Sequence, residues 1–467
     1  MADDKPKDKP PTSRLGRLAR LAGLAPRGIP LAIEGARRVF GGTPTAEEEA
    51  KQRQRMSLEM KKTAEAMLKT LGEMKGLPLK LGQMASYIDG LAPPGYEDRF
   101  QAALKNLLDK APPLSAEASI QVVTAELGAP PHEVFAEWDR EPFAAASIGQ
   151  VHRAVTKGGD EVAVKVQYPG IDKAIESDLK SISLLESMMS PISRKLNSKQ
   201  TIDEIRNVFL SELDYSREAS MADLFRRMNA EDPEVYIPKV HHSLTTRRVL
   251  TCEYVGGQGY TDFAGSAPQD AKNSAGLTIW RFTFRSMLRY AMLYADPHPG
   301  NYRFLPDGRV AFLDFGCVKE LPPPLVGGIK RYMTAAMDAD WAEFDRACVE
   351  VLGYDPDDES WDVYRSYTME LMMPICTQGT WHSSPERAKE TVAYLMRGIR
   401  GLAVKQGDTL PSIPHVPKMP QEFTFVNRLQ WGLASVLAGL RTEAAFRPVI
   451  EPWVRGGIHA IPDGFGP

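Results

Sequence analysis

Residues 295–316, ADPHPGNYRFLPDGRVAFLDFG, contain the pattern that decides the fold. Asp296 and Asn301 lie five positions apart, and Asp314 follows Asn301 after thirteen more. Strand-forming residues on either side of the turn at 306–308 (PDG) predict a short hairpin between them. Amide and carboxylate oxygens at adjacent strand ends can hold Mg²⁺. The segment therefore predicts a metal site. The alternative is that Asp296 and Asn301 only cap a turn and Asp314 only ends a strand.

A second pattern lies upstream, in the segment VAVK at residues 162–165. It has the form of the V-A-I-K strand of protein kinases, and the 296–314 spacing has the form of their D-x-x-x-x-N and D-F-G motifs. There the lysine, here Lys165, places a compact positive charge near the α and β phosphates of ATP. The first aspartate, Asp296, faces the attacking group. The alternative for Lys165 is an ordinary exposed lysine on an edge strand.

The candidate partner of this lysine lies in SELDYSREA, residues 211–219. The pattern predicts one helix over 201–229, on which Asp214 and Glu218 are four apart and share a face. Two like charges on one face are tolerable if cations such as Lys165 or a metal ion lie opposite. The alternative is a solvated face on which Asp214 pairs with its neighbour Arg217. Glu212 points elsewhere on an ideal helix, so it and Asp214 are expected to serve different partners.

The segment at 144–151, AAASIGQV, precedes the lysine strand where a kinase has its glycine-rich loop. Only Gly149 and Val151 fit that pattern. Alanines adopt positive φ at a cost, so this loop should be stiffer and offer fewer backbone amides to phosphates. A packing strand of small residues is the alternative. The residues assigned to nucleotide binding are Ala144, Ala145, Ala146, Ser147, Gly149, Val151, Lys165 and, before a glycine hinge, Glu253 and Val255.

Composition places broad limits on function. The 467 residues are 43% hydrophobic and 25% charged, which excludes a disordered chain. The net charge of -3 argues against a nucleic-acid binder. Four cysteines lie far apart, as is usual in a reducing compartment. The sequence shows neither a signal peptide at its start nor an apolar run of 18 residues. These features predict a cytoplasmic protein, either soluble or peripheral at a membrane.

The order of elements predicts an α+β, mostly helical protein with two lobes. Residues 1–40 comprise a disordered tail and a basic amphipathic segment, 41–130 a helical extension, 131–256 a small lobe with inserted helices, and 257–467 a helical lobe. Residues 14–40 contain six arginines and one glutamate. Such a helix can lie on an anionic membrane surface. The alternative is that it packs on the protein with its arginines in solvent.

With these motifs in place, the chain resembles the UbiB family, also called AarF or ADCK, of atypical protein-kinase-like proteins associated with ubiquinone biosynthesis. The shared motifs follow the family's order: KLGQ (80–83), AAASIGQVHRA (144–154), VAVK (162–165), ELDYSRE (212–218), DPHPGN (296–301) and LDFG (313–316). The resemblance implies a protein-kinase-like fold with a helical N-terminal extension, binding of ATP or ADP with Mg²⁺, and a link to isoprenoid lipids at membranes.

The resemblance also implies roles for single residues. Lys165 would pair with Glu218, while Asn301 and Asp314 would bind Mg²⁺. Asp296 would occupy the catalytic-loop position. The motifs K-x-G-Q and E-x-D would have regulatory roles; here they are Lys80 and Gln83, and Glu212 and Asp214. Lys80 and Gln83 would reach into the cleft and block a protein substrate.

Departures from ordinary protein kinases agree with this assignment. Ala295 stands where H-R-D has its arginine, and no A-P-E follows Asp314. Together with these departures, the resemblance implies an ATPase or small-molecule phosphotransferase that supports quinone or lipid metabolism and takes a lipid or quinone precursor as ligand. One alternative is a pseudokinase that binds nucleotide as a switch and organises a membrane-associated complex. An authentic protein kinase is the other.

Overall fold

A computed structural model describes residues 115–146, 148–188, 210–391, 394–395, 420 and 422–461. The chain divides into two compact units, Met1–Met189 and Ser190–Pro467. The lobe and extension boundaries predicted from the sequence stay predictions. Residues 1–40, and most of the predicted helical extension, lie outside the described residues.

The first unit contains a small antiparallel sheet and three described helices. The helices are α1 (Ala116–Leu127), α2 (Pro131–Val134) and α3 (Ile171–Met188). The strands are β1 (Phe135–Trp138), β2 (Ala144–Ala145), β3 (Gly149–Thr156) and β4 (Glu161–Gln167). Strand β3 pairs with β4 along its length, and with β1 and β2 on its other side. Strands β3 and β4 thus form a hairpin around residues 157–160.

Helix α1 shows how local sequence sets an element's limits. The Ser115 side chain accepts a hydrogen bond from the backbone N–H of Ala118, which satisfies one of the free donors at the helix start. Gly128 ends the helix in the left-handed conformation, with φ of 81°, which glycine adopts without steric cost. Val122 and Val123 are buried, so this helix has one apolar side.

The second unit is mostly helical. Its helices are α4 (Tyr215–Met228), α5 (Tyr260–Ser266), α6 (Gln269–Phe284), α7 (Pro323–Met337), α8 (Trp341–Leu352), α9 (Trp361–Cys376), α10 (Phe423–Gly439) and α11 (Arg447–Arg455). Its strands are β5 (Val235–Tyr236), β6 (Val249–Glu253), β7 (Gln258–Gly259), β8 (Met292–Tyr294), β9 (Tyr302–Phe304), β10 (Val310–Phe312), β11 (Val318–Glu320), β12 (Trp381–His382) and β13 (Glu443–Ala444).

Four of these strands form a sheet in the order β5-β10-β9-β7. Its centre is the predicted hairpin, in which β9 and β10 are antiparallel. Strand β5 joins β10 in parallel, and β7 joins β9 antiparallel. A second antiparallel pair, β8 with β11, lies immediately before and after the segments that contain Asp296 and Asp314. Both chemistry-bearing segments are therefore anchored to strands at each end.

An aromatic core lies next to these strands. Phe282 of α6 stacks on Phe312 of β10, with ring centroids 3.7 Å apart, and packs edge-on against Tyr294 of β8. Phe225 of α4 contacts both Phe282 and Phe315. All five rings are buried. Aromatic packing thus ties helix α4 to the strands that hold the predicted metal loops.

One predicted helix is wrong in detail. The sequence pattern predicted continuous helix over 201–229, but the structure has helical residues 210–212, a break at Leu213 and Asp214, and then α4. Asp214 has extended backbone angles and is the N-cap of α4. Its carboxylate accepts hydrogen bonds from the N–H groups of Ser216 and Arg217, and a side chain that caps the following turn favours a new start over continuation.

Helix α10 packs an apolar face into the second unit. Phe425, Val426, Leu429 and Leu433 are buried. Within the described ranges, no helix combines the length and apolar character needed to cross a bilayer.

Candidate active site

The hairpin β9–β10 brings the two predicted metal ligands to the same end of the sheet. Tyr302 pairs with Phe312, and the next pair outward joins the Leu313 N–H to the Asn301 carbonyl at 3.0 Å. Asn301 therefore takes part in the last backbone hydrogen bond of the hairpin, and Asp314 is the next residue after its partner Leu313. The register of a local hairpin therefore brings the two residues to neighbouring positions, and their role as metal ligands stays a prediction.

Asp314 begins a tight turn at the end of this hairpin. Its Oδ1 accepts a hydrogen bond from the Gly316 N–H at 2.9 Å. A Cβ at Gly316 would lie 3.3 Å from that oxygen and 3.6 Å from Oε2 of Glu218. The absence of a side chain at Gly316 therefore lets two carboxylates approach the same stretch of backbone.

The loop from Asp296 to Asn301 is held by hydrogen bonds within itself. The Asp296 carbonyl accepts from the His298 N–H at 2.7 Å and from the Asn301 side-chain Nδ2 at 3.0 Å. The Asn301 amide nitrogen is thereby fixed against the loop, and its oxygen, the atom that binds cations, faces away from that carbonyl. His298 Nδ1 accepts a hydrogen bond from the Gly300 N–H, which also holds the loop together.

An arginine that sequence reasoning missed contacts the catalytic-loop aspartate. Arg428 of α10 donates from Nη2 to Asp296 Oδ1 at 2.8 Å, and both side chains are more than four-fifths buried. Burial alone would lower the pKa of Arg428, but the charges of Asp296, Cys317 and Glu212 raise it. No local motif points to this arginine, since it lies 132 positions along the chain from its partner.

Helix α4 presents Glu218 to the same region. Glu218 is 4% exposed, and Phe225, seven residues later on the same face, packs on Phe315 next to Asp314. Glu212, in the turn before α4, is also buried. Its Cγ lies 3.7 Å from the position of a Cβ at Gly316. The second unit therefore brings Glu212, Glu218 and Asp314 around one glycine.

Asp214 does not join these acids on a helix face. It is the cap described above, so the predicted i, i+4 arrangement with Glu218 is wrong. The alternative of a side-chain pair with Arg217 is wrong too, because Asp214 accepts the backbone N–H of that residue. The Arg217 guanidinium instead donates to the Val318 carbonyl in β11 at 3.0 Å. This bond links α4 to the strand that follows the D-F-G segment.

Tyr294 lies beneath the loops, at the end of β8. It is 1% exposed. Burial raises its pKa well above the ordinary value, and the nearby charges of Asp314 and Asp296 act in the same direction. The phenol therefore stays neutral and supports the loops through packing. Tyr294 occupies the position of the histidine in H-R-D, so an aromatic residue there could have been identified from the motif alignment.

The first unit holds most of the described nucleotide-binding candidates. Lys165 lies in β4 opposite Val151 of β3, which confirms that it is part of a strand. Its pairing with Glu218 of the second unit stays a prediction. Ala144 and Ala145 form strand β2, and Ala146 donates its N–H to the Gly149 carbonyl at 2.8 Å. Ser147, Lys80 and Gln83 lie outside the described residues.

The predicted hinge residues are in the second unit. Glu253 ends β6, where its carboxylate accepts hydrogen bonds from the Tyr236 hydroxyl at 2.5 Å and from the Lys239 N–H at 3.3 Å. Val255 lies in the irregular segment that follows, and it is half-buried. Their assignment to nucleotide binding stays a prediction, and the structure adds that Glu253 is held in place by its own unit.

The donor set fits a magnesium ion held jointly with phosphates. Asn301 and Asp314 would supply hard oxygen ligands, which Mg²⁺ prefers. In the part of the chain that the structure describes, no cluster of three or more His, Cys, Asp or Glu side chains has the geometry of a metal site. A kinase-type site requires no such cluster, because phosphate oxygens and water complete the coordination.

These features are typical of a protein-kinase-like protein: a lysine in a strand, an aspartate at the catalytic-loop position, and an asparagine and an aspartate at the open end of one hairpin. The family model described as the ABC1 atypical kinase-like domain matches residues 106–347. The chain belongs to this family, which confirms the resemblance to UbiB, AarF and ADCK proteins and the α+β kinase-like fold.

Relatives with similar sequences support this family assignment. Atypical kinase COQ8B, mitochondrial, of Rattus norvegicus is 31% identical over 342 residues, which cover 73% of this chain and 63% of that protein. Uncharacterized protein sll0005 of a Synechocystis strain is 34% identical over 249 residues, which cover 52% of this chain and 36% of that protein. The chain thus spans less than two thirds of either relative.

A third relative is matched over more of its length. Uncharacterized protein slr0889 of the same Synechocystis strain is 32% identical to this chain, and the match covers 73% of that protein. Among solved structures, the complex of Rv3197 with erythromycin from Mycobacterium tuberculosis is similar to this chain. Its TM-score is 0.59 at 25% identity, covering 86% of this chain and 97% of that one.

Proposed function

We propose that this chain is an ATP- and Mg²⁺-dependent atypical kinase-like enzyme that either hydrolyses ATP or phosphorylates a small molecule. The observation that supports it best is the convergence of Asn301 and Asp314 on one hairpin end. The Asp296 loop is hydrogen-bonded to Asn301. When bound, Mg²⁺ supplies neutralisation of the charge on the transferred phosphoryl group.

Each residue has a distinct task in this proposal. Asn301 and Asp314 hold the metal through their side-chain oxygens. Asp296 orients the attacking water or hydroxyl, so that the reacting oxygen is in line with the phosphorus. Lys165 contacts the α and β phosphates and pairs with Glu218.

The test is phosphate release by the purified chain with ATP, with and without Mg²⁺. We expect turnover that EDTA abolishes, and a loss of about 100-fold or more in kcat in Asp296→Asn with retained nucleotide binding. The matched control is Asp307→Asn, since Asp307 lies in the exposed turn of the same hairpin and pairs with Arg309. Turnover that survives unchanged in Asp296→Asn would contradict the enzymatic proposal.

A second candidate, a nucleotide-binding switch without turnover, has one observation in its favour. In ordinary kinases the loop over the phosphates offers free backbone amides. Here the corresponding Ala144–Ala145 segment is strand β2, paired with β3, and the Ala146 N–H is bonded to Gly149. Tight, Mg²⁺-dependent binding of ATP or ADP without phosphate release, in the presence of detergent or liposomes, would support the switch.

The proposed ligand beyond the nucleotide is an isoprenoid lipid or quinone precursor, so the chain would support ubiquinone or related lipid metabolism. This rests on membership of a family with a relative named COQ8B. A thermal-shift panel of nucleotides and isoprenoid lipids, repeated on Lys165→Ala, tests both ligands at once. Stabilisation by lipid should persist in the variant, whereas stabilisation by nucleotide should be reduced.

Residues 14–40 are proposed to attach the protein to the cytoplasmic face of an anionic membrane. Their six arginines and regularly spaced leucines support this assignment. The test is co-sedimentation with anionic liposomes, which should be lost on deletion of residues 1–40 and weakened by salt. Equal sedimentation of the deleted chain would contradict it.

A further inference from the structure

Helix α10 contacts the catalytic loop at two points on one of its faces. Arg428 donates to Asp296 at 2.8 Å. Gly432, one turn later, lies so close to the loop that a Cβ there would be 2.6 Å from Cγ of Pro297. Residues four apart share a helix face, so the arginine and the glycine together align the helix with two consecutive loop residues.

The helix is itself fixed by burial. Its apolar residues Phe425, Val426, Leu429, Leu433 and Val436 are each at most 5% exposed. Gly439 near its end would, with a Cβ, clash with the Tyr260 hydroxyl of α5, which is hydrogen-bonded to the Val436 carbonyl. Because the helix is packed on several sides, it provides a rigid base from which Arg428 reaches the loop.

The charge arrangement also favours a fixed pair. Arg428 remains protonated, and its neighbours Asp296 and Glu212 are acidic. A guanidinium held at 2.8 Å from one carboxylate oxygen restricts rotation of that carboxylate. The preceding residue in the loop is Ala295, which is fully buried and offers no cation of its own.

We propose that Arg428 is the positioning residue for Asp296 in the reaction. It fixes the carboxylate in the orientation that aligns the attacking water or hydroxyl, and it acts through Asp296 without touching the substrate. This inference rests on the proposed ATP-dependent function. Gly432 contributes to the same positioning, because it sets the distance between helix α10 and the loop.

The experiment is a double-mutant cycle on phosphate release, with the full chain as Arg428→Gln, Asp296→Asn and both together. We expect Arg428→Gln to lower kcat about 100-fold, since misplacement of a catalytic group by about 1 Å has that effect. The KM for ATP should change by less than about twofold. In the Asp296→Asn background, Arg428→Gln should have no further effect, because the carboxylate it orients is gone.

Two further variants separate positioning from folding. Arg428→Lys should recover part of the lost kcat, since lysine keeps the charge but offers a less directional donor. Gly432→Ala removes no charge and should still lower kcat, by about 10-fold, because the helix is displaced from the loop. Arg365→Gln is the matched control, as Arg365 forms a half-buried pair with Asp345 instead. Thermal unfolding of every variant identifies any that fail to fold.

The outcomes are distinguishable. A wild-type chain that releases no phosphate overturns the proposed enzymatic function itself. A wild-type chain that turns over while Arg428→Gln equals it overturns only the inference. Faster turnover in Arg428→Gln would show that the ion pair with Asp296 inhibits the reaction. If the fold-losses of the two single variants multiply in the double variant, Arg428 acts independently of Asp296. Either result contradicts the positioning role.

Discussion

Two antiparallel hairpins of the described residues, β3–β4 in the first unit and β9–β10 in the second, place their candidate site residues in opposite ways. In β3–β4 the candidate Lys165 lies inside the ladder, opposite Val151. In β9–β10 the candidates Asn301 and Asp314 lie just outside the last strand pair. A residue within a strand pair has its backbone held by the pairing on both sides of it along the strand. Residues beyond the end depend on turns and distant side chains, which is where Gly316 and Arg428 act.

The hairpins also differ in what supports them. Beneath β9–β10 lies the aromatic core of Phe282, Phe312 and Tyr294. The first hairpin has a buried polar network instead. His152 is fully buried, with Nδ1 at 3.0 Å from the Asp139 carbonyl and Nε2 at 3.1 Å from the Ser119 hydroxyl. A carbonyl can only accept, so Nδ1 carries the proton and Nε2 accepts.

The largest expected effect concerns the end of the second hairpin. Asp314→Asn should reduce Mg²⁺-dependent phosphate release by about 1000-fold or more, because a metal ligand loses its charge. The measurement is steady-state turnover across a Mg²⁺ titration. Gly308, in the turn at the other end of the hairpin, gives the matched control: Gly308→Ala should leave turnover within about twofold. Full activity in Asp314→Asn would contradict the metal assignment.

The next effect tests the polar support of the first hairpin. His152→Ala should lower the free energy of unfolding by about 3 kcal/mol, since it opens a cavity and removes one hydrogen-bond partner each from buried Ser119 and Gln150. Urea unfolding measures it. His132→Ala, at an exposed histidine of the same unit, should change stability by less than about 0.5 kcal/mol. Equal effects of the two changes would contradict the structural role of His152.

The turns of the two hairpins offer a direct comparison. Gly159 and Gly308 have φ of 90° and 89°, and a Cβ at either would contact nothing within 4 Å. Alanine at each should therefore cost only backbone strain, about 1–2 kcal/mol in unfolding free energy. Gly158→Ala is the control, because that glycine has no such φ and its Cβ would make only ordinary contacts. A cost at Gly158 equal to that at Gly159 would contradict this explanation.

The smallest expected effect is a pH dependence. Burial lowers the pKa of His152 below 6.5, although Asp139 and Glu141 oppose the shift. Below pH 6.5 the unfolded chain then binds more protons than the folded one, so this contribution to stability is complete above that pH and is lost as pH falls. Between pH 7.5 and 5.5 the wild type should lose about 1 kcal/mol more stability than His152→Gln. Parallel curves from urea unfolding would contradict the assignment.

Much of the fold and site could be predicted from the sequence. Both hairpins have glycine turns between alternating or apolar strands, and their pairing is local. The convergence of Asn301 and Asp314 follows directly from the second hairpin. The break at Asp214 could have been predicted too, because an aspartate followed by a run of helix formers is an N-cap signal, but the helical pattern on both sides concealed it.

Other features depended on contacts between distant parts of the chain. The approach of Glu212 and Glu218 to Asp314 requires Gly316 and the packing of Phe225 on Phe315. A pattern of spacing describes which face of a helix is apolar but not which strand it packs against.

The amino-acid sequence alone determined the family, the two hairpins and the residue types of the predicted metal-binding loops, because each is set by neighbours along the chain. Only the tertiary structure decided that Arg428 forms an ion pair with Asp296. An ion pair between residues 132 positions apart leaves no trace in local spacing, since it forms only when α10 is packed and a buried charge must find its partner.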